Sequence, residues 1–253
     1  DACAQQAITV TADGINLDQN RCNQCGNCLF VCPVDAWHGS APIRHIQNGE
    51  LNAGQDSAPS AAELLQLAAR YGLRCIAAED TSPWRQPFDA ANRLLAQLGR
   101  HPLQWHSIAP ANGALSRRGL FRHFARHSNA VQATIGGSAL CNAYPESAFH
   151  RITLNRDACT LCAACTRICP HGALQIGQEF VIDNGRCTGC GLCQDSCLEQ
   201  AISVVAETGQ VERVALALQH AACADCGRAF VRWLGDEGSA CHICRKRAAL
   251  YRT

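Results

Sequence analysis

Hydrophobic positions in this chain come in short bursts, and most follow the two-residue alternation of strands rather than the longer period of helices. Ile8–Val10 and Ile15–Leu17 flank the turn T-A-D-G and predict a hairpin. Leu174–Ile176 with Phe180–Ile182, and Ile202–Val205 with Val211–Val214, predict two more. Only the stretch from Gln55 to Pro110 has a different rhythm. There Ser60 stands three residues before Glu63 as a capping box, and Gly72 stops the helix they open. Leu73–Ala78 predicts a strand, Phe88–Leu98 a helix ended by Gly99, and Leu103–Ile108 a second strand. Strand, helix and strand in that order imply a small parallel α/β unit. E-D-T-S-P-W-R follows its first strand where a phosphate-binding loop would be glycine-rich, so the unit is expected to be a spacer or docking module.

The bursts are interrupted by cysteine. The chain has 19 in 253 residues and only 17% charged residues, below the roughly 25% usual in soluble domains. Cys159, Cys162, Cys165 and Cys169 are followed by Pro170, and Cys187, Cys190, Cys193 and Cys197 repeat their spacing. C-x2-C-x2-C-x3-C is a spacing for [4Fe–4S] ligation, with a short helix after the third cysteine carrying the fourth away. Zinc sites use paired rather than fourfold runs. The stretch Asp157–Val205 resembles a bacterial two-cluster ferredoxin over its whole length. The resemblance implies crossed ligation: one cluster on Cys159, Cys162, Cys165 and Cys197, a second on Cys187, Cys190, Cys193 and Cys169.

An incomplete copy of the pattern opens the chain. Cys22, Cys25, Cys28 and Cys32, with Pro33 after them, form a full run. Asp1–Ile8 (D-A-C-A-Q-Q-A-I) echoes Asp195–Ile202 (D-S-C-L-E-Q-A-I), which marks Cys3 as the last cysteine of a preceding run. Cys3 then completes a cluster with Cys22, Cys25 and Cys28. Cys32 is left to serve a fourth cluster, whose other three cysteines are expected just upstream of Asp1. The alternative is a degenerate half with Cys32 free. Proline follows Cys32 and Cys169 but not Cys3 or Cys197, which leaves the rigidity of the latter two turns open.

The tail carries Cys223, Cys226, Cys241 and Cys244, two C-x2-C knuckles expected to hold structural Zn²⁺, with an iron–sulfur site as the alternative. Cys75 reads as a small buried hydrophobe, and Cys141 has no partner spacing. The histidines show no ligand spacing beyond His123 and His127, which lack a third ligand and read as surface residues.

Charge separates these segments. Residues 1–58 carry six acids against two arginines, and 157–218 seven against three, whereas 111–156 carry six arginines and one acid. Within the last segment Ser116–Ser128 predicts a helix, with Leu120, Phe121 and Phe124 on one stripe and Arg117, Arg118, Arg122 and Arg126 around it. It suits docking on an acidic surface, this protein's own or a partner's. S-R-R-G-L-F lacks the apolar segment of an export signal.

The expected architecture is α+β. A ferredoxin-like domain (1–56) is joined by the α/β module (57–110) and a basic linker (111–156) to a two-cluster ferredoxin domain (157–218), with a ribbon-like tail (219–253). The layout is also similar to the polyferredoxin subunits associated with molybdopterin or tungsten oxidoreductases, formate dehydrogenases and hydrogenases. That resemblance implies electron transfer inside a larger redox complex, without catalysis of its own. The alternatives are a transient accessory or maturation ferredoxin, or a reductase working at an open iron. Thiolate ligation points to a reducing, cytoplasmic setting. No apolar run reaches the length of a membrane span, and the short basic tail gives no case for nucleic acid.

Overall fold

The computed structural model describes residues 3–54, 56–109 and 129–250, arranged as two compact units, Asp1–Tyr144 and Pro145–Thr253. The helix expected over Ser116–Ser128, with His123 and His127, lies outside the described residues.

The first unit opens with the expected hairpin, β1 (Ile8–Thr11) against β2 (Gly14–Leu17). A short helix α1 (Asn27–Val31) follows inside the first cysteine run. The chain then builds β3 (Ile43–Gln47), β4 (Glu50–Asn52), α2 (Ala61–Tyr71), β5 (Cys75–Ala78), α3 (Arg85–Gln97) and β6 (Gln104–Ser107). Ser60 Oγ accepts the Glu63 N–H, and Gly72 closes α2 in the left-handed conformation, as the capping pattern requires.

The strand–helix–strand reading is present with parallel β5 and β6, but the sheet is larger than expected. It has five strands in the order β6-β5-β4-β3-β7. Residues 43–52 supply two of these strands, and β7 (Ala130–Gln132), in the stretch read as linker, supplies the edge. Helix α4 (Ala139–Ala143) follows, and the Tyr144 hydroxyl donates to Leu65 O at 2.9 Å, fixing this segment to α2.

Strand parity divides this sheet into two faces. Arg44, Ile46, Leu51, Ile76 and Trp105 share one face through the registers Ile46↔Leu51, Leu51↔Ile76 and Ile76↔Trp105. Both helices lie against it. Phe88 of α3 meets Trp105 edge-to-face at 5.1 Å, and Arg44 forks onto Glu63 of α2 at 2.7 and 3.1 Å. Burial raises the Glu63 pKa, while the hydrogen bonds and charge of Arg44 oppose that rise. The other face carries Glu50, Cys75, Ala77 and His106.

The second unit starts with β8 (Ser147–Leu154) and continues through α5 (Ala164–Ile168), β9 (Leu174–Ile176), β10 (Glu179–Asp183), α6 (Leu192–Asp195), β11 (Ile202–Gln210) and β12 (Arg213–Ala222). It ends with β13 (Ala229–Trp233) and α7 (His242–Leu250). The β9–β10 hairpin is as expected. The hairpin expected between Ile202–Val205 and Val211–Val214 does not form. β11 pairs instead with β8, and β12 adds to β10 before turning into β13. The physical reason is length: β8 offers β11 a partner from Ile202↔Leu154 to Gln210↔Ser147, far more ladder than a four-residue hairpin. The core gathers Ile152, Leu161, Leu174, Phe180, Ile182, Ile202 and Trp233 around the cysteines.

Candidate cluster and metal sites

Each of the three complete cysteine runs folds the same way. The residue two after the first cysteine and the residue one after the second are both left-handed: Gln24 and Gly26, Leu161 and Ala163, Gly189 and Gly191. The second of each pair caps a short helix that carries the third cysteine. Reversing the backbone sign on both sides of the middle cysteine curls three thiols and the intervening N–H groups into one concavity, the backbone arrangement that receives anions and iron–sulfur clusters. Three of these six positions are not glycine, so the curl is held at some conformational cost.

The fourth cysteines share a second motif. Cys3, Cys32, Cys169 and Cys197 each accept, at Sγ, the backbone N–H of the alanine four residues on: Ala7 at 3.3 Å, Ala36 at 3.2 Å, Ala173 at 3.3 Å and Ala201 at 3.2 Å. The residue before that alanine is left-handed every time: Gln6, Asp35, Gly172 and Gln200. Proline follows only two of these cysteines, yet all four turns have the same hydrogen bond. The turn is therefore set by C-x3-A and its left-handed third residue, and proline only reinforces the extended backbone at Cys32 and Cys169. N–H···S bonds of this kind are among the determinants of cluster potential.

In the second unit the thiols fall into two groups. Cys159, Cys162, Cys165 and Cys197 line one pocket, walled by Leu154, Leu161, Phe180 and Ile202. Cys169, Cys187, Cys190 and Cys193 line another, walled by Ile152, Leu174 and Val204. Each cavity thus takes three cysteines from one run and the fourth from the other. Burial, reinforced by Cys159, Cys162, Cys193 and Cys197, pushes the Cys165 thiol up to about 12. Burial with Cys187, Cys169 and Cys190 takes Cys193 to about 11. Thiols this crowded and dry do not ionise together in water's absence without a cation among them. An iron–sulfur core supplies that cation, and the donor set fits it. His150 of β8 lies over the second cavity's loop, so close that a Cβ at Gly189 would fall 2.2 Å from its Nε2.

In the first unit, burial and the charges of Cys25 and Cys22 raise the Cys28 pKa, so these three thiols sense one another as the other runs do. Cys3 and Cys32 hold their hydrogen bonds to Ala7 and Ala36.

The tail builds a different site. Cys223 and Cys226 leave the end of β12, and Cys241 and Cys244 enter α7; the four Sγ atoms lie within 4.8 Å of one another. Sγ of Cys223 accepts the Cys241 N–H at 3.2 Å. Backbone N–H groups bring the Cys223 thiol down to about 6, led by that of Cys241, while hydrogen bonding among the sulfurs, led by Cys226, takes Cys244 up to about 12. The compact S4 geometry suits a single ion rather than a cube. Cys141 is buried, and burial raises its pKa. Cys75 is also buried, and it meets Glu50 and His106, a grouping that no spacing in the chain foretells. No helix among the described residues is long and apolar enough to cross a membrane.

Comparison with known proteins agrees with this geometry. A model described as a 4Fe-4S binding domain matches residues 15–38 and 152–175, each match enclosing one complete run. Pyruvate synthase subunit PorD of Methanothermobacter marburgensis is 39% identical over 54 residues, 21% of this chain and 64% of that protein. The subunit of the same name from Methanocaldococcus jannaschii is 37% identical over 59 residues, 22% of this chain and 69% of that protein. The chain thus spans about two-thirds of the length of these relatives, and most of its own length lies outside the match.

Proposed function

The chain belongs to the ferredoxin family of [4Fe–4S] electron-transfer subunits that includes PorD, and from that premise we propose that it is a multi-cluster wire within an oxidoreductase complex. The observation that carries this reading is the pair of cavities in the second unit, each lined by three cysteines of one run and the fourth of the other. In our reading Cys159, Cys162, Cys165 and Cys197 hold one [4Fe–4S] cluster, and Cys187, Cys190, Cys193 and Cys169 a second. Cys22, Cys25, Cys28 and Cys3 hold a third. Cys32, with the same N–H···S turn, is a ligand to a further cluster. The tail cysteines hold Zn²⁺ as a structural staple for β12, β13 and α7.

Each cluster, when bound, stores and releases one electron. The residues of this chain set where and how readily that happens. The alanine N–H groups donate to the fourth sulfurs and favour the reduced, more negative core. Leu154, Leu161, Phe180 and Ile202 around one cavity, and Ile152, Leu174 and Val204 around the other, form the apolar side of each site. The crossed ligands make the two runs interdependent, so neither cluster loop is complete without the other. Partners are redox enzyme subunits, and pyruvate synthase, to which the relatives belong, gives the class to examine first.

The test is functional. The chain is purified anaerobically with whatever redox enzyme accompanies it, and electron flow from that enzyme to its physiological carrier is compared before and after replacement of the wild-type chain by a Cys165→Ser, Cys193→Ser variant. Flow to the carrier should collapse, while reduction of an artificial dye at the enzyme's own centre persists. Undiminished flow to the carrier would overturn the wire. Association that is only transient, with clusters passed to the enzyme, would replace it with the accessory role.

A further inference from the structure

We infer that Glu50, Cys75 and His106 form a binding site for a divalent transition-metal ion of the Zn²⁺ class, on the face of the first unit's sheet opposite α2 and α3. The three residues come from three neighbouring strands, β4, β5 and β6. Register places Glu50 opposite Cys75, and His106 opposite Ala77, one same-face step along β5 from Cys75. A carboxylate, a thiol and an imidazole are therefore brought onto one face by parity alone. One donor atom from each lies within 4.8 Å of the other two, and His106 Nδ1 is 2.9 Å from Glu50 Oε2. In a tetrahedral shell with ordinary Zn–S, Zn–N and Zn–O bonds, neighbouring donors stand about 3.5 Å apart, a small side-chain adjustment from this arrangement.

The chemistry of the set suits a divalent cation. It takes the place of the thiol proton, which leaves to solvent, and the thiolate, carboxylate and neutral imidazole then balance its two charges. Mixed sulfur, nitrogen and oxygen donors suit zinc and its borderline neighbours rather than magnesium or calcium. The His106 and Glu50 side chains are 57% and 42% exposed, so two of the three donors reach solvent beside the buried Cys75. Three protein donors leave a fourth position for water or a partner's group, unlike the closed S4 set of the tail. The two sites are thus distinct in ligand type.

The experiment uses the full, cluster-loaded chain. Wild type, Cys75→Ala and His106→Gln are dialysed anaerobically against buffered Zn²⁺, and zinc and iron are counted per chain. Both variants should hold about one zinc fewer than wild type, with iron unchanged, and the wild-type zinc edge should show a sulfur–nitrogen–oxygen component that both variants lack. Because the readout is the difference from wild type, it does not depend on what the tail cysteines bind. Unchanged iron shows that the variants are folded, and His106→Gln alters only an exposed side chain. Equal zinc in all three proteins would overturn the site, and so would a loss confined to Cys75→Ala.

Discussion

Gly189 and Gly191 occupy the two left-handed positions around Cys190, with φ of 74° and 75°, but their surroundings differ. A Cβ at Gly191 meets nothing closer than Asp195 Oδ2 at 3.9 Å, so Gly191→Ala carries only the left-handed backbone cost, about 1 kcal/mol. A Cβ at Gly189 would sit 2.2, 2.5 and 2.6 Å from Nε2, Cδ2 and Cε1 of His150. That ring is anchored on β8 and cannot swing away as a long flexible chain could. Gly189→Ala thus adds an overpacking cost to the same backbone term, for roughly 3 kcal/mol in all. Cluster loss is irreversible, so the difference is read as a rate: chelator-driven bleaching of the visible charge-transfer band under anaerobic conditions. The upper limits are about fivefold acceleration for Gly191→Ala and about a hundredfold for Gly189→Ala, if the whole cost is relieved at the barrier. Adding His150→Ala to Gly189→Ala should bring the rate back toward that of Gly191→Ala, a non-additivity expected only of residues in contact. Equal rates for the two glycine variants, or no rescue in the double variant, would show that the Gly189–His150 contact does not hold the loop.

Ala163 holds the position equivalent to Gly191 without being glycine, so Ala163→Gly should slow bleaching of the Cys159–Cys165 cluster severalfold, in the same assay. Cys197→Ser should remove the cluster of Cys159, Cys162 and Cys165 and spare that of Cys190; resolved spectra of the two clusters check the assignment. Glu63→Ala leaves Arg44 charged and 1% exposed, and should destabilise the first unit by about 3–5 kcal/mol in thermal unfolding. A zinc-selective chelator should melt the β12–β13 tail, seen as faster proteolysis after Arg232, with the iron content unchanged.

How much of this was legible in the sequence depended on how local the determining signal is. The three complete runs, the α2 capping box and the β9–β10 hairpin are set by residues within a few positions of one another, and the chain announces them. The thiol grouping across runs was reachable because the doubled run resembles a bacterial two-cluster ferredoxin, and that resemblance implies the crossing. The C-x3-A turn was also present, in Cys3–Ala7, Cys32–Ala36, Cys169–Ala173 and Cys197–Ala201, but proline drew attention as the more familiar marker. Long-range pairing was not legible. Nothing near Ile202 says that its partner is Leu154 rather than a residue of Val211–Val214, because a short apolar strand pairs with whichever ladder is longest. The same limit hid the Glu50, Cys75 and His106 grouping. Its members are separated by tens of residues, and only the parallel register of β4, β5 and β6 brings them together.

Whether the second unit holds two crossed [4Fe–4S] clusters side by side can be read from electron paramagnetic resonance of the anaerobic, fully reduced protein. Two clusters sharing one small core should couple magnetically, so the wild-type spectrum should contain broadened interaction features. In Cys197→Ser those features should give way to the simple rhombic signal of the surviving cluster on Cys187, Cys190, Cys193 and Cys169. A wild-type spectrum made only of magnetically isolated clusters, or a Cys197→Ser protein that instead loses the cluster of Cys190, would contradict the account.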